Sequence, residues 1–203
     1  MATNWDDYAA EWENEPSAVL YAQKAFDSLQ EIVGVQGKRI LDFGCGTGLL
    51  SQKLSPFAKD IVALDSSEAM IEQLDKKELD NVEPVVDLLS RGLVAMHPAF
   101  RNQFDLVVAS SVCGFLPNYS DVVDIVYSLL NKGNHFVHWD WLSEKDEEGG
   151  MTPTHVLQVL SSVGFDEVEV TTPFSIDSPQ GKLTVLMACL LYTSDAADEV
   201  SWG

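Results

Sequence analysis

From Lys38 onward the chain alternates short β-branched, apolar runs with longer stretches whose apolar residues recur every three or four positions. That alternation predicts βα units and a largely parallel sheet. Arg39 to Phe43, Asp60 to Leu64, Val82 to Val86, Phe104 to Ala109 and His135 to Trp139 read as five strands. Two more, Glu167 to Val170 and Lys182 to Ala188, have only a short loop around Pro173 to Gly181 between them, which predicts an antiparallel hairpin rather than another crossover.

The intervening helices carry their own start and stop signals. Ser67 can cap Glu68 to Leu79, where Met70, Ile71 and Leu74 share a face and Glu68 and Glu72 suit the positive N-terminal end. Ser120 can cap Asp121 to Asn131, whose stripe is Val122, Ile125, Val126 and Leu129, with Gly133 as the stop. Thr152 and Pro153 open a helix through Val156, Leu157, Val159, Leu160 and Val163 that Gly164 ends. Residues 1–33 read as a helical cap, with Trp5, Tyr8, Ala9 and Trp12 on one stripe and Leu20, Ala25 and Leu29 on a second that Pro16 opens. The expected organisation is one domain over residues 1–190. Residues 191–203 read as a solvated tail, and Leu191 to Glu199 resembles cloning read-through more than evolved structure.

Charge narrows the partners. Against 12 Lys plus Arg stand 32 Asp plus Glu, a formal charge of −20 that repels a polyanion, so nucleic acid is not the expected partner. Val185 to Tyr192 is among the longest apolar runs at eight residues, too short for a membrane span. The first residues show neither a basic region nor an apolar core, and Cys45, Cys113 and Cys189 are isolated from one another. The expected location is the cytoplasm.

The densest chemical signal is Ile40 to Leu50, a strand running into Gly44, Gly46 and Gly48 and then a helix. Such glycines let backbone turn sharply and approach a ligand, with helix N-terminal amides facing it. Asp65, 21 residues after Gly44, ends the next strand, where a carboxylate can accept two ribose hydroxyls. A dinucleotide fingerprint would want glycine three positions after Gly46, but Leu49 stands there, so the NAD pattern is broken.

With strand, acid and GxGxG together, Asp42 to Gly48 resembles the first motif of the class I S-adenosylmethionine-dependent methyltransferases, and the likeness runs from about residue 5 to 190. The fold implied is α/β: a Rossmann-like, doubly wound, mostly parallel seven-stranded sheet with an antiparallel C-terminal strand and helices on both faces. The cofactor implied is S-adenosyl-L-methionine. By that resemblance Gly44, Gly46, Gly48 and the backbone near Cys45 border its methionine part, and Asp42 orders the loop or reaches the amino group through water. Asp65 holds the ribose, Ser66 and Met70 lie beside the adenine, and Asp87 or the backbone at Leu88 meets the adenine amino group. Ser110 and Ser111 face the methionine tail, and Tyr8 can reach its carboxylate.

A sulfonium is an activated donor, so in-line positioning and exclusion of water can supply most of the acceleration. A base is needed only where the acceptor must lose a proton. His138 and Asp140 share one face of an extended strand and are the candidate base, with Trp139 and Trp141 on the other face. Cys113, Phe115 and Leu116 are candidate pocket lining. Metal is not expected, because His135 and His138 point to opposite faces and no Cys cluster exists. Glu144, Asp146, Glu147 and Glu148 read as a solvated loop. The DNA amino-methyltransferase tetrad is absent at Ser110 to Cys113, and no separate substrate domain is visible, which favours a small-molecule acceptor. The rival reading is a cofactor-binding module without catalysis that acts through protein partners.

Overall fold

A computed structural model describes residues 4–145, 149–165, 167–178 and 181–192. Its strands are β1 (Arg39–Phe43), β2 (Asp60–Asp65), β3 (Val82–Val86), β4 (Phe104–Ser110), β5 (Leu130–Leu142), β6 (Gly150–Met151), β7 (Glu167–Ser178) and β8 (Gly181–Leu191). The helices are α1 (Pro16–Ile32), α2 (Leu49–Leu54), α3 (Glu68–Asp75), α4 (Arg91–Met96), α5 (Tyr119–Leu129) and α6 (Pro153–Val163). Seven strands form one sheet in the order β3-β2-β1-β4-β5-β8-β7, and β6 adds a two-residue parallel pairing to β5. β8 runs antiparallel to both neighbours and the other pairings are parallel, which is the doubly wound α/β architecture expected. Order reverses between β1 and β4, placing the ligand crevice outside the carboxyl ends of these strands.

Two apolar layers cover the sheet. One joins Tyr21, Ala25, Phe26 and Leu29 of α1 to Ile40, Leu54, Ile71, Val137 and Trp139; the other joins α5 and α6 to Leu41, Val107, Phe136 and Leu186. Trp139 is fully buried and its indole N–H donates to Ser28 Oγ at 3.0 Å, so the large ring leaves no unpaired donor. Among the described residues, no helix is long and apolar enough to cross a membrane.

Several boundaries depart from the sequence reading. The N-terminal stripe forms two short 3-10 turns, Trp5–Tyr8 and Trp12–Asn14, rather than a helix, and Tyr8 is 53 % exposed. In α1 the buried face runs through Tyr21 and Ala22, leaving Leu20 exposed. α5 begins at Tyr119, two residues earlier than a Ser120 cap would start it, because Tyr119 extends the buried stripe of Val122, Val123 and Val126. Gly133 does not stop that helix. The chain enters β5 directly at Leu130, and the register shift between Phe104/Leu130 and Leu106/His135 absorbs residues 131–134, with Gly133 at φ +81°. α3 ends at Asp75, not Leu79, and Glu78 turns the chain at φ 49°. β7 runs on through Pro173 and Phe174 past a register shift, so the hairpin connection is shorter than expected. Leu191 and Tyr192 do not belong to a tail. Leu191 ends β8, and Tyr192 exchanges backbone hydrogen bonds with Gly133 and Asn134 and packs edge-on against Tyr127 at 4.5 Å. Residues 193–203 and the acidic positions 146–148 lie outside the described residues.

Candidate functional site

β1 delivers the chain into three glycines, each with a positive φ. At Gly44 a Cβ would lie 2.2 Å from Val112 Cγ2, and at Gly48 it would lie 2.3 Å from Leu74 Cδ1, so both glycines are required by packing as well as by backbone. Gly46 differs: a Cβ there would meet nothing nearer than Met70 Sδ at 4.0 Å. The loop therefore has one open face, over Gly46, where a ligand can approach the main chain.

Two carboxylates hold this loop from below and beside. Asp65, at the end of β2, accepts from Gly46 N–H through Oδ2 at 2.8 Å and from Ser67 N–H through Oδ1 at 2.9 Å, tying the glycine loop to the start of α3. Ser67 in turn caps α3 by accepting from Met70 N–H, as its position predicts, and its hydroxyl bonds Asp6 of the N-terminal turn. Asp42 is buried in β1 and accepts from Ser51 Oγ at 2.6 Å, while its Oδ1 has no partner. Burial raises the Asp42 carboxyl from 3.8 to about 6, Ser51 opposing it and the neighbouring Asp65 adding to it. Burial also raises Asp65, against the Ser67 and Gly46 N–H groups that favour its charged form. The Cys45 thiol is pushed well up by burial beside these two acids and stays protonated.

The remaining predicted contacts spread along the strand ends. Met70 is buried beside Gly46, and Ser66 is exposed next to Asp65. Asp87 is exposed; its N–H donates to Asp65 O at 3.0 Å and its Oδ1 accepts from Leu88 N–H at 2.7 Å. Leu88 is 67 % exposed, an apolar surface beside the carboxyl end of β3. Ser110 is half-buried at the end of β4. Ser111 follows with φ +59°, a conformation that costs a non-glycine residue about 1–2 kcal/mol and aims Val112 over Gly44. Sequence reasoning named Ser110 and Ser111 but not Val112, Ser51 or Asp6, whose roles depend on contacts between distant segments.

The end of β5 holds a second, wholly buried polar group. His138 and Asp140 share a face as alternation predicts; His138 Nδ1 lies 2.8 Å from Asp140 Oδ2, and Asp140 Oδ1 accepts from Gly114 N–H at 2.8 Å. His138 Nε2 lies 3.0 Å from the Tyr119 hydroxyl. His138 is fully buried, so it does not stand open to an acceptor as a lone base would. Tyr119 was missed by sequence reasoning, although stepping back three residues along the stripe from Val122 finds it. Cys113 joins this cluster with a thiol raised well above its ordinary value by burial and by Asp140, so it stays protonated. Ligand atoms of Cys113, His138 and Asp140 lie within 4.8 Å of one another, but both imidazole nitrogens and both carboxylate oxygens already have partners within the chain. Trp5 packs edge-on against Phe115 at 5.1 Å and Trp12 at 5.9 Å, bringing the N-terminal aromatics to this end of the sheet. Tyr8 stands at their edge, 6.2 Å from Trp5.

Comparison with known proteins places this geometry. A family model described as a methyltransferase domain matches residues 19–169. The ubiquinone biosynthesis O-methyltransferase of Shewanella pealeana is 28 % identical over 137 residues, covering 66 % of this chain and 56 % of that protein. The chain spans about half the length of the curated relatives it matches. Among solved structures, a DhpI–SAH complex superposes with a TM-score of 0.72 at 21 % identity, covering 93 % of each chain. The N-methyltransferase NodS of Bradyrhizobium japonicum, solved with S-adenosyl-L-homocysteine, superposes at 0.70 with 17 % identity, covering 95 % of this chain and all of that one.

Proposed function

The chain belongs to the methyltransferase domain family, and on that premise we propose that it moves a methyl group from S-adenosyl-L-methionine to a small-molecule acceptor by in-line displacement. The observation that carries this reading is the glycine loop pinned through both oxygens of Asp65 and open only over Gly46. The residues present suit the donor. Asp42, with one buried oxygen unpartnered, and Asp65 form an anionic floor beneath a ligand that carries a sulfonium and an ammonium. Met70 and exposed Leu88 offer apolar surface to a purine, with Ser66 and Asp87 beside them for polar contacts. When bound, the cofactor supplies an electrophilic methyl group; the protein's part is to orient it, to exclude water and to seat the acceptor.

Support for a small acceptor comes from economy. Among the described residues, the material at the carboxyl ends of β4 and β5 is the short turns that carry Trp5 and Phe115, whose rings pack edge-on. The surplus of acids disfavours nucleic acid, and a curated relative is an O-methyltransferase of ubiquinone biosynthesis. Calorimetric titration with S-adenosylmethionine, S-adenosylhomocysteine and NAD, followed by transfer of labelled methyl to a metabolite pool, tests the reading. Binding of the first two alone with labelled product is the expected result. Binding of NAD, or binding of the methionine cofactor with no product from any pool, would overturn it.

A further inference from the structure

The N-terminal turn is anchored on both sides of the ligand crevice. Asp6 accepts a hydrogen bond from the Ser67 hydroxyl, just past the end of β2, while its neighbour Trp5 packs edge-on against Phe115, in the turn after β4, at 5.1 Å. β2 and β4 flank β1, and paired strands lie about 4.8 Å apart, so these two adjacent residues span about 10 Å of sheet across the end of β1. The glycine loop, with its open face at Gly46, leaves β1 at that point. A third anchor, the Glu13–Lys77 ion pair at 2.6 Å, ties down the next turn. Little else holds the segment. Of residues 4–15 only Ala9 is buried, so lifting it breaks few contacts.

Closing this segment brings like charges together. Asp6 stands near enough to Asp65 to oppose its ionisation, and Asp42 adds a further acid on β1. Among the described residues no Lys or Arg forms an ion pair with Asp6, Asp42 or Asp65, and Lys77 is engaged by Glu13. Asp65 has an N–H on each oxygen, whereas exposed Asp6 uses Oδ1 on Ser67 and keeps Oδ2 without a partner among the described residues. A cation seated beneath the turn would relieve the repulsion. Resting on the methyl-transfer reading above, we propose that residues 4–14 form a strap which the positive charge of S-adenosylmethionine latches through Asp6 and Ser67, and which the loss of that charge releases. The donor carries a sulfonium, an ammonium and a carboxylate and is cationic overall. When its methyl passes to the acceptor, the pair of the breaking C–S bond returns to sulfur, and the S-adenosylhomocysteine left behind is neutral overall. The strap therefore holds the donor and loosens over the product, which couples product release to the reaction.

The test follows amide hydrogen exchange of residues 4–14 in the full chain, free and saturated with S-adenosylhomocysteine or with sinefungin, an unreactive analogue that bears an ammonium in place of the sulfonium. Sinefungin should slow exchange of this segment at least about tenfold relative to the S-adenosylhomocysteine complex, which should stay within about threefold of the free protein. Asp6→Asn keeps an oxygen for Ser67 but removes the charge, so the calorimetric preference for sinefungin over S-adenosylhomocysteine should fall about threefold to tenfold. Asp7→Asn, the same change in net charge on an exposed neighbour, should leave that preference within about twofold. Equal protection by the two ligands, or an Asp6→Asn preference equal to wild type, would overturn the charge latch and leave cofactor binding standing. No protection by either ligand once bound would overturn the strap itself. If neither ligand binds, the strap and the methyl-transfer reading fall together.

Discussion

Replacing Asp65 by Asn separates the loop-holding role of the carboxylate from a purely ligand-facing one. Asp65 makes two charge-assisted hydrogen bonds, to Gly46 N–H at 2.8 Å and to Ser67 N–H at 2.9 Å. An amide keeps one oxygen acceptor but turns an NH2 toward the other N–H, so one bond is lost and two donors face each other. Loss of a hydrogen bond to a charged group costs about 1.5–3 kcal/mol, and burial of the orphaned N–H keeps the cost at the upper end. For a chain of this size about 2–4 °C of Tm accompanies each kcal/mol, so Asp65→Asn should melt about 5–10 °C lower even without ligand. The glycine loop proposed to bind cofactor would loosen with it, and affinity for S-adenosylmethionine should fall by at least about tenfold. Thermal unfolding and calorimetry on the same preparations read both numbers. Asp87→Asn is the control: its exposed carboxylate bonds only the adjacent Leu88 N–H, so stability should move by less than about 0.5 kcal/mol. An Asp65→Asn melting temperature equal to wild type would refute the loop-holding argument, whatever happened to binding.

Three other outcomes follow from the same geometry. Gly48→Ala, whose Cβ would fall 2.3 Å from Leu74 Cδ1, should destabilise the fold by more than about 2 kcal/mol, whereas Gly46→Ala carries only backbone strain of about 1–2 kcal/mol and should instead chiefly weaken cofactor binding; the reverse order in urea unfolding would show that the open face lies elsewhere. The Asp42 carboxyl, raised from 3.8 to about 6, binds more protons in the native state than in the unfolded chain between those values, so its contribution worsens as pH rises through that window. Asp42→Asn should therefore gain on wild type by about 3 kcal/mol between about pH 4 and pH 7, and a difference that stays flat with pH would contradict the raised value. Finally, a chain of charge −20 attracts a cationic donor more than its uncharged product, so affinity for S-adenosylmethionine should fall with added salt more steeply than affinity for S-adenosylhomocysteine; parallel slopes would show that the field does not reach the site.

The legible parts of the fold are those where local chemistry and tertiary packing agree. β1 and β3 have the expected bounds because both are short and bounded by polar or glycine turn residues. α6 has its Thr152 cap and Pro153 at the start and Gly164 at φ +111° at the end, local signals for both boundaries. Where packing decides, local signals mislead. Ser120 is a good capping residue, yet α5 starts before it because Tyr119 gains a buried position and a hydrogen bond to His138. Gly133 looks like a helix stop but serves a bulge whose partner, Tyr192, is 59 residues away in the chain. The N-terminal aromatics have helical spacing, but Trp5 and Trp12 are held by each other and by Phe115, and 3-10 turns suffice to bring them there.

At the site, the glycine pattern and Asp65 were readable because their requirement is local: a strand, a tight turn and an acid at the end of the next strand. Side chains set by meeting across the sheet were not, and Tyr119, Ser51 and Val112 are of that kind. One property of the site emerges only when both kinds are placed together. Asp42, Asp65 and Asp140 stand toward the carboxyl ends of β1, β2 and β5, buried or nearly so, and their bonded partners are Ser51, two backbone N–H groups, His138 and Gly114. Among the described residues no Lys or Arg makes a salt bridge to any of the three; the cations are spent elsewhere, Arg39 on Asp60, Lys77 on Glu13 and Arg91 on Asp124. Buried carboxylates without a cation are costly, and a fold keeps them where something else supplies the positive charge. At Asp140 the two oxygens are taken up by His138 Nδ1 and the Gly114 N–H. At Asp42 and Asp65 no side chain supplies it, and a sulfonium donor that arrives positive and leaves neutral would find its strongest electrostatic complement there before transfer and a weaker one after it.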